Sequence, residues 1–148
     1  MRPSLFRRPP ERRRSRGQAL AEFAIVVPVF MLIVGGIIQF GIIFWGQNTL
    51  TQIARDTGRW ASSQTTCPTT ASVQSTADAI AGSSSLIGYP ASGIGLAVST
   101  TGSCPPANNQ QVGYVTIALT HNVPIFFPWI PGNGTISTSA QFRLEPTP

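Results

Sequence analysis

Glu22 is a carboxylic acid near the start of a long apolar run whose main part extends from Phe23 to Trp45. A charged side chain within such a run is costly in a bilayer, so a lone acid there is a candidate functional group. The chemistry open to it is pairing with a cation, because opposite charges attract far more strongly at low dielectric than in water. The alternative is that the side chain reaches the nearby interface, since it lies only a few residues inside the run.

Catalytic and metal-binding chemistry has few candidates in this chain. The sequence has five acids, one histidine and two cysteines, and it contains no phosphate-binding glycine loop, paired carboxylate site, metal-ligand cluster or nucleophile motif. His121 falls on the apolar side of a predicted strand, and no Ser, Cys or acid is placed to form a catalytic pair with it. We therefore expect a partly buried histidine with satisfied hydrogen bonds, no enzyme, no cofactor, no metal and no small-molecule substrate.

The run Phe23–Trp45 is long enough to hold Glu22 at a membrane. As a helix it would extend about 34 Å, enough to cross a hydrocarbon core of about 30 Å with some tilt. A secretory signal peptide would have a shorter apolar segment, of about 7–15 residues, and the acid argues against twin-arginine export. Seven of the ten arginines lie at or before Arg16. The positive-inside rule therefore keeps the amino terminus cytoplasmic and sends everything after Trp45 across the membrane.

The basic charge of the chain is confined to this leader. The formal charge is +5, and without residues 1–17, which carry seven arginines and Glu11, it falls to −1. The high pI therefore gives no reason to expect a nucleic-acid partner. The pattern indicates the lipid bilayer instead, because each arginine at the cytoplasmic surface is attracted to anionic lipid by about 1 kcal/mol.

Two segments carry a resemblance to a known family. The first is Gly17-Gln18-Ala19-Leu20-Ala21-Glu22-Phe23-Ala24, followed by an apolar span with Pro28 early in it, and the second is Ala54-Arg55-Asp56-Thr57-Gly58-Arg59-Trp60-Ala61. Together with the basic leader they resemble the TadE-like proteins of the tight-adherence (Flp) pilus system. Phe23 departs from the pattern, since many relatives have tyrosine there. Beyond this part the likeness rests on the closing strand Ser137–Glu145.

The resemblance implies a bacterial inner-membrane minor pilin or pseudopilin, cleaved between Gly17 and Gln18 by a prepilin peptidase on the cytoplasmic side. Gly17 suits such a site because it has no side chain to hinder an extended backbone in a protease cleft. The resemblance also implies that Glu22, with Phe23 beside it, guides assembly by neutralising the new amino terminus of a neighbouring subunit. Other pilin or pseudopilin subunits and pilus assembly components would be the partners. The runner-up is an unprocessed single-span anchor that presents a periplasmic binding or adhesin domain.

Beyond Trp45 the pattern becomes amphipathic, and the helix is predicted to continue to about Ala61 as a stalk outside the membrane. The residues on its apolar side recur at heptad-like spacing: Leu50, Ile53, Thr57 and Trp60. Three charged residues on the other sides form the densest charge cluster outside the leader: Arg55, Asp56 and Arg59. Asp56 and Arg59 are three apart, which suits a surface ion pair. The alternative is subunit recognition within an assembly.

Residues 62–148 are predicted to form a small periplasmic α+β domain. A short helix is expected over Ser72–Ala81, with Thr70 as its cap and Gly82 at its end. Three strands of an antiparallel sheet are predicted from the alternation of apolar and polar residues: Ile94–Thr100, Tyr114–Val123 and Gly134–Leu144. The chain is therefore read as a single-pass α+β membrane protein with a cytoplasmic leader (1–17), a transmembrane helix with its extension (18–61) and this domain.

Cys67 and Cys104 are the two cysteines, and both fall in the part placed outside the cytoplasm. An oxidising compartment favours a disulfide between them, although two free thiols are the alternative. By the loop-entropy argument a bridge would add roughly 4 kcal/mol of stability. Such a bridge has a clear use, because a domain of this size is near the limit at which a single core is sufficient.

The segment Pro124–Pro131 is the most apolar part of this outer region. Prolines at both ends and in the middle prevent ordinary strand pairing, so the segment is predicted to be an extended loop. Two roles are open for it. The loop either covers the small core or presents an exposed apolar patch to a partner.

Overall fold

The structure is a computed structural model, and it describes residues 15–104, 106, 112–127 and 134–145. The described residues form helices and strands in the order α1 (Ser15–Ser62), α2 (Thr70–Ser83), β1 (Ile94–Gly102), β2 (Gly113–Asn122) and β3 (Thr135–Arg143). The strands form one antiparallel sheet in the order β1-β2-β3. The predicted α+β class is confirmed. The chain divides into two compact units, Met1–Gly36 and Ile37–Pro148.

Helix α1 contains the candidate membrane span. Within its part from Gly17 to Ser62, the most apolar stretch of 18 residues has a mean hydropathy of 2.5, and the helix is long and apolar enough to cross a membrane, by length and composition. The first unit shows the surface expected of such a span, because its apolar side chains point outward all round the helix. Exposed examples are Leu20, Phe23, Ile25, Val29, Phe30 and Ile33.

The second unit holds the core, where the last turns of α1 pack on one face of the sheet. The buried side chains of these last turns are Leu50, Ile53, Ala54, Thr57 and Ala61. Alternate residues of β2 meet this face and are fully buried, namely Val115, Ile117 and Leu119. Both patterns agree with the predicted faces of the stalk and of the second strand. Side chains that recur about every 3.6 residues on the helix face side chains that recur every second residue on the strand, and together they form one continuous apolar layer.

Close approach between α1 and the strands depends on two glycines of the helix. A Cβ at Gly58 would meet the ring of Phe142 on β3, and one at Gly46 would lie 3.0 Å from Cγ2 of Val123. The backbone conformation of a helix does not require glycine, so the reason for these two glycines is the lack of room for a side chain. The stalk can lie against the sheet because it carries no side chain at these points.

Helix α2 is longer than predicted, and its predicted ends are wrong. The cap is Thr69, not Thr70. The Thr69 side chain accepts a hydrogen bond from the Ser72 backbone N–H, and the Ser72 hydroxyl oxygen accepts one from the Thr69 backbone N–H. This reciprocal capping box satisfies two backbone donors. At the other end the helix continues past Gly82 to Ser83, and the backbone N–H of Ser84 donates to the carbonyl of Ala81.

Two further predictions about this unit are confirmed. Cys67, between α1 and α2, forms a disulfide with Cys104, which follows β1, with 5.4 Å between their Cα atoms. His121 is buried, and its two ring nitrogens lie 3.2 and 2.9 Å from the backbone oxygens of Gly93 and Ile87. The histidine therefore ties the connection between α2 and β1 to the central strand.

Candidate processing and assembly site

The bond between Gly17 and Gln18 lies in the first described turn of α1 (Ser15–Ser62), and both residues are exposed. Gly17 is exposed, and nothing lies within 4 Å of a Cβ built on it. Residues 1–14 of the predicted leader lie outside the described residues.

Glu22 lies one helical turn after Gln18, and their side chains meet. The Gln18 Nε2 donates a hydrogen bond of 3.3 Å to Oε1 of Glu22, on the exposed surface of the helix. An exposed pair of this kind, four residues apart, is worth only about 0.2–0.5 kcal/mol. The carboxylate is therefore held weakly and stays free to accept a stronger donor. Phe23 beside it is 66% exposed, so its ring is also open to a partner.

Arg55, Asp56 and Arg59 lie in the second unit and are all exposed on α1. The alternation of faces explains this, because Ala54, Thr57 and Gly58 between them are buried against the sheet. The predicted placement of the cluster on the outer side of the stalk agrees with this arrangement. Its part in subunit recognition stays a prediction.

Gln39 is a residue whose role the sequence did not reveal. It is 1% exposed, and its side-chain amide binds the backbone of the predicted apolar loop at two points. Nε2 donates to the carbonyl of Pro124 at 3.2 Å, and Oε1 accepts from the N–H of Phe126 at 2.9 Å. The available signal was its polarity within the apolar run. A polar side chain within an apolar run is expected to bind a polar group elsewhere in the protein.

The described part of the apolar loop agrees in part with each of its two predicted roles. Pro124 and Phe127 are half-buried, whereas Phe126 between them is 60% exposed. The remainder of the segment, residues 128–131, lies outside the described residues. The described loop therefore combines partly covered ends with an exposed apolar tip.

An open groove of about 620 Å³ lies between the middle of α1 and the end of α2. Its lining is uncharged and mostly polar, comprising Trp45, Asn48, Thr49, Gln52, Ser83, Ser84 and Ser85. The Trp45 indole N–H donates to the Ser85 carbonyl at 3.3 Å across one end of it. No three His, Cys, Asp or Glu side chains come together as metal ligands in the part of the chain that the structure describes.

Comparison with known families matches the helix that carries these residues. The family model described as TadE-like protein matches residues 17–59. Residues 17–59 are TadE-like. This TadE-like segment begins at Gly17, includes Gln18, Glu22 and Phe23, and ends at Arg59 of the charge cluster. The resemblance stated from the sequence is thereby confirmed, and it suggests a protein associated with the Tad pilus. Neither a curated protein nor a solved structure matches the chain.

Proposed function

We propose that this protein is a minor pilin or pseudopilin that acts in the assembly of a Flp/Tad-type adhesive pilus, and that its role is structural, not enzymatic. The observation that carries the proposal is the start of the TadE-like segment. There Gly17 and Gln18 form an exposed bond at the first residues of the match, and Glu22 follows one turn later on an exposed apolar helix. The proposed location is the bacterial inner membrane, with the amino terminus cytoplasmic and the sheet domain periplasmic.

In this proposal a prepilin peptidase cleaves between Gly17 and Gln18 at the cytoplasmic surface. Cleavage removes the basic leader and gives Gln18 an α-ammonium group. The Glu22 carboxylate, held by only one exposed side-chain bond, then pairs with the ammonium group of a neighbouring subunit in the low dielectric of the membrane. Other pilins or pseudopilins of the same system are the partners.

The amino terminus of the membrane-extracted protein tests the cleavage step. Intact mass and terminal sequencing should give a start at Gln18 from cells with an active prepilin peptidase, and at Met1 from cells with an inactive one. A start at Met1 in both would favour the unprocessed anchor with a periplasmic binding or adhesin domain.

Two matched variants separate recognition of the site from folding. Gly17→Leu should block cleavage while leaving the fold intact, because a Cβ there meets nothing within 4 Å. Gly41→Leu makes the same change at another open helical glycine and should leave cleavage unchanged. Equal cleavage of both variants would count against Gly17 as the recognition residue.

The assembly step is tested by changing Glu22. Glu22→Ala should insert into the membrane and be cleaved normally but fail to co-purify with the other pilus subunits. Gln18→Ala removes the side-chain bond to Glu22 and keeps both the carboxylate and the new ammonium group, so it should assemble. Normal piliation with Glu22→Ala would contradict the proposed ion pair.

A further inference from the structure

Gln39 is hydrogen-bonded to the loop Pro124–Phe127, called the apolar loop below. This contact indicates which part of the second unit meets the membrane. Gln39 lies in the helical run that is apolar enough to span a bilayer. At 1.5 Å per residue it lies about 9 Å along the helix before Trp45. With Trp45 at the far interface of the membrane, where tryptophan is enriched, Gln39 would lie about 9 Å inside that interface.

The hydrogen bonds of Gln39 place the apolar loop at the same depth. The amide holds the Pro124 carbonyl and the Phe126 N–H, at 3.2 and 2.9 Å. Backbone groups within hydrocarbon need a partner from the protein, because lipid tails provide none. Pro124 itself has no N–H to satisfy. The clamp therefore supplies what a non-helical segment needs in order to enter a bilayer, and the loop in turn satisfies the buried amide.

Large apolar side chains are exposed both in the apolar loop and in the nearby stretch of α1 after Gln39, namely Ile125, Phe126, Phe40, Phe44 and Trp45. The sequence contains no Asp, Glu, Lys or Arg between residues 37 and 54 or between residues 112 and 127. Trp45 is of the type enriched where a membrane meets water. Exposed segments of this composition suit lipid as their partner.

We propose that the apolar loop is a second membrane-contacting element, which inserts Ile125 and Phe126 into the bilayer beside α1 and is held there by Gln39. Interfacial elements commonly bury their apolar side about 5–10 Å into the boundary, which agrees with the depth of Gln39. The loop then seats the sheet domain directly on the membrane. This inference rests on the membrane span of the proposed function, but not on cleavage or pilus assembly.

Depth measurements on the full chain in phosphatidylethanolamine–phosphatidylglycerol vesicles test the insertion. Cys67 and Cys104 are bridged, so an introduced cysteine is the one thiol open to an environment-sensitive fluorophore. The probe positions are Phe126→Cys in the loop, Phe30→Cys in the span and Tyr114→Cys at the opposite end of β2. We expect quenching by aqueous iodide at position 126 to be at least about threefold weaker than at position 114, with strong quenching by spin-labelled lipid, as for an interfacial element.

A second pair of variants tests the clamp. Gln39→Leu, combined with Phe126→Cys, should raise iodide quenching at position 126 towards the value at position 114. Gln47→Leu is the matched control, because Gln47 also bonds a backbone carbonyl, that of Ser137 at 2.8 Å, but lies beyond Trp45. It should leave the quenching at position 126 unchanged.

Three results would overturn the inference. Equal iodide access at positions 126 and 114, with position 30 shielded, would refute loop insertion and leave the proposed function standing. Access at position 30 as well would refute the membrane span and the proposed function with it. Shielding at position 126 that increases with the ratio of protein to lipid would assign the surface to a second copy of this chain.

Discussion

Replacing Gly58 by alanine should destabilise the sheet domain, although alanine is the better helix former. Gly58 lies on the buried side of α1, and a Cβ built there would meet three ring atoms of Phe142, with Cζ at 2.9 Å and Cε2 and Cδ2 closer. Phe142 is half-buried and packs against the core. The added methyl group can be accommodated only if the ring or the helix moves.

Two effects of opposite sign set the magnitude. Alanine is favoured over glycine within a helix by about 1 kcal/mol. Overpacking a core costs about 1–3 kcal/mol, and the upper part of this range applies because a whole ring edge must be displaced. The expected net loss in the free energy of unfolding is therefore about 1–2 kcal/mol. For a unit of about 110 residues, this lowers Tm by roughly 4–9 °C.

Thermal unfolding of the full chain in detergent, followed by far-UV circular dichroism, measures this effect. Gly41→Ala is the matched control, since a Cβ there meets nothing within 4 Å, and its Tm should not fall. In a Phe142→Ala background, Gly58→Ala should stabilise the protein, because the ring that opposes it is gone. A Tm for Gly58→Ala that equals or exceeds the wild-type value would refute the packing argument.

Three further predictions concern the same unit. Thr57→Val should raise the free energy of unfolding, measured in urea, by about 1 kcal/mol, because the buried Oγ1 has no hydrogen-bond partner among the described residues. A lower free energy of unfolding would instead show that the hydroxyl stabilises the fold. His121→Ala should cost about 2–4 kcal/mol in the same assay by removing a buried ring whose two nitrogens each lie within hydrogen-bond distance of a backbone oxygen, and an unchanged midpoint would contradict this. Removing the Cys67–Cys104 bridge, which spans 37 residues, should cost about 4 kcal/mol by loop entropy, and equal midpoints with and without reductant would exclude that contribution.

Local patterns predicted most of the elements correctly. Residues 115, 117 and 119 are large apolar residues at every second position, with Thr116 and Thr120 on the opposite parity, and the strand they define has one buried face. The stalk was predicted to Ala61 and ends at Ser62. The error at α2 arose because two adjacent threonines can each serve as a cap. The choice between Thr69 and Thr70 depends on which of them lies three residues before a reciprocating side chain, and Ser72 decides it.

The contacts that hold these elements together were less accessible from the sequence. Gln39 and Pro124 are 85 residues apart, and no local pattern pairs a polar residue in an apolar run with a distant proline loop. The glycines of α1 could be taken as merely permissive until Phe142 was placed opposite Gly58. The residues of the candidate site could be named from the sequence because they lie close together in the chain, from Gly17 to Phe23, and need no tertiary contact to be recognised; their roles stay predictions.

The position of the disulfide in the chain has a consequence for the order in which the protein is built. Both Cys67 and Cys104 precede β2 and β3. Their bridge can therefore close while the later strands are still emerging, as soon as both thiols meet an oxidant. A loop that already links α2 to the end of β1 leaves fewer arrangements open when β2 arrives to pair with it. The residues that complete the sheet are thus added last, to a partly tethered chain.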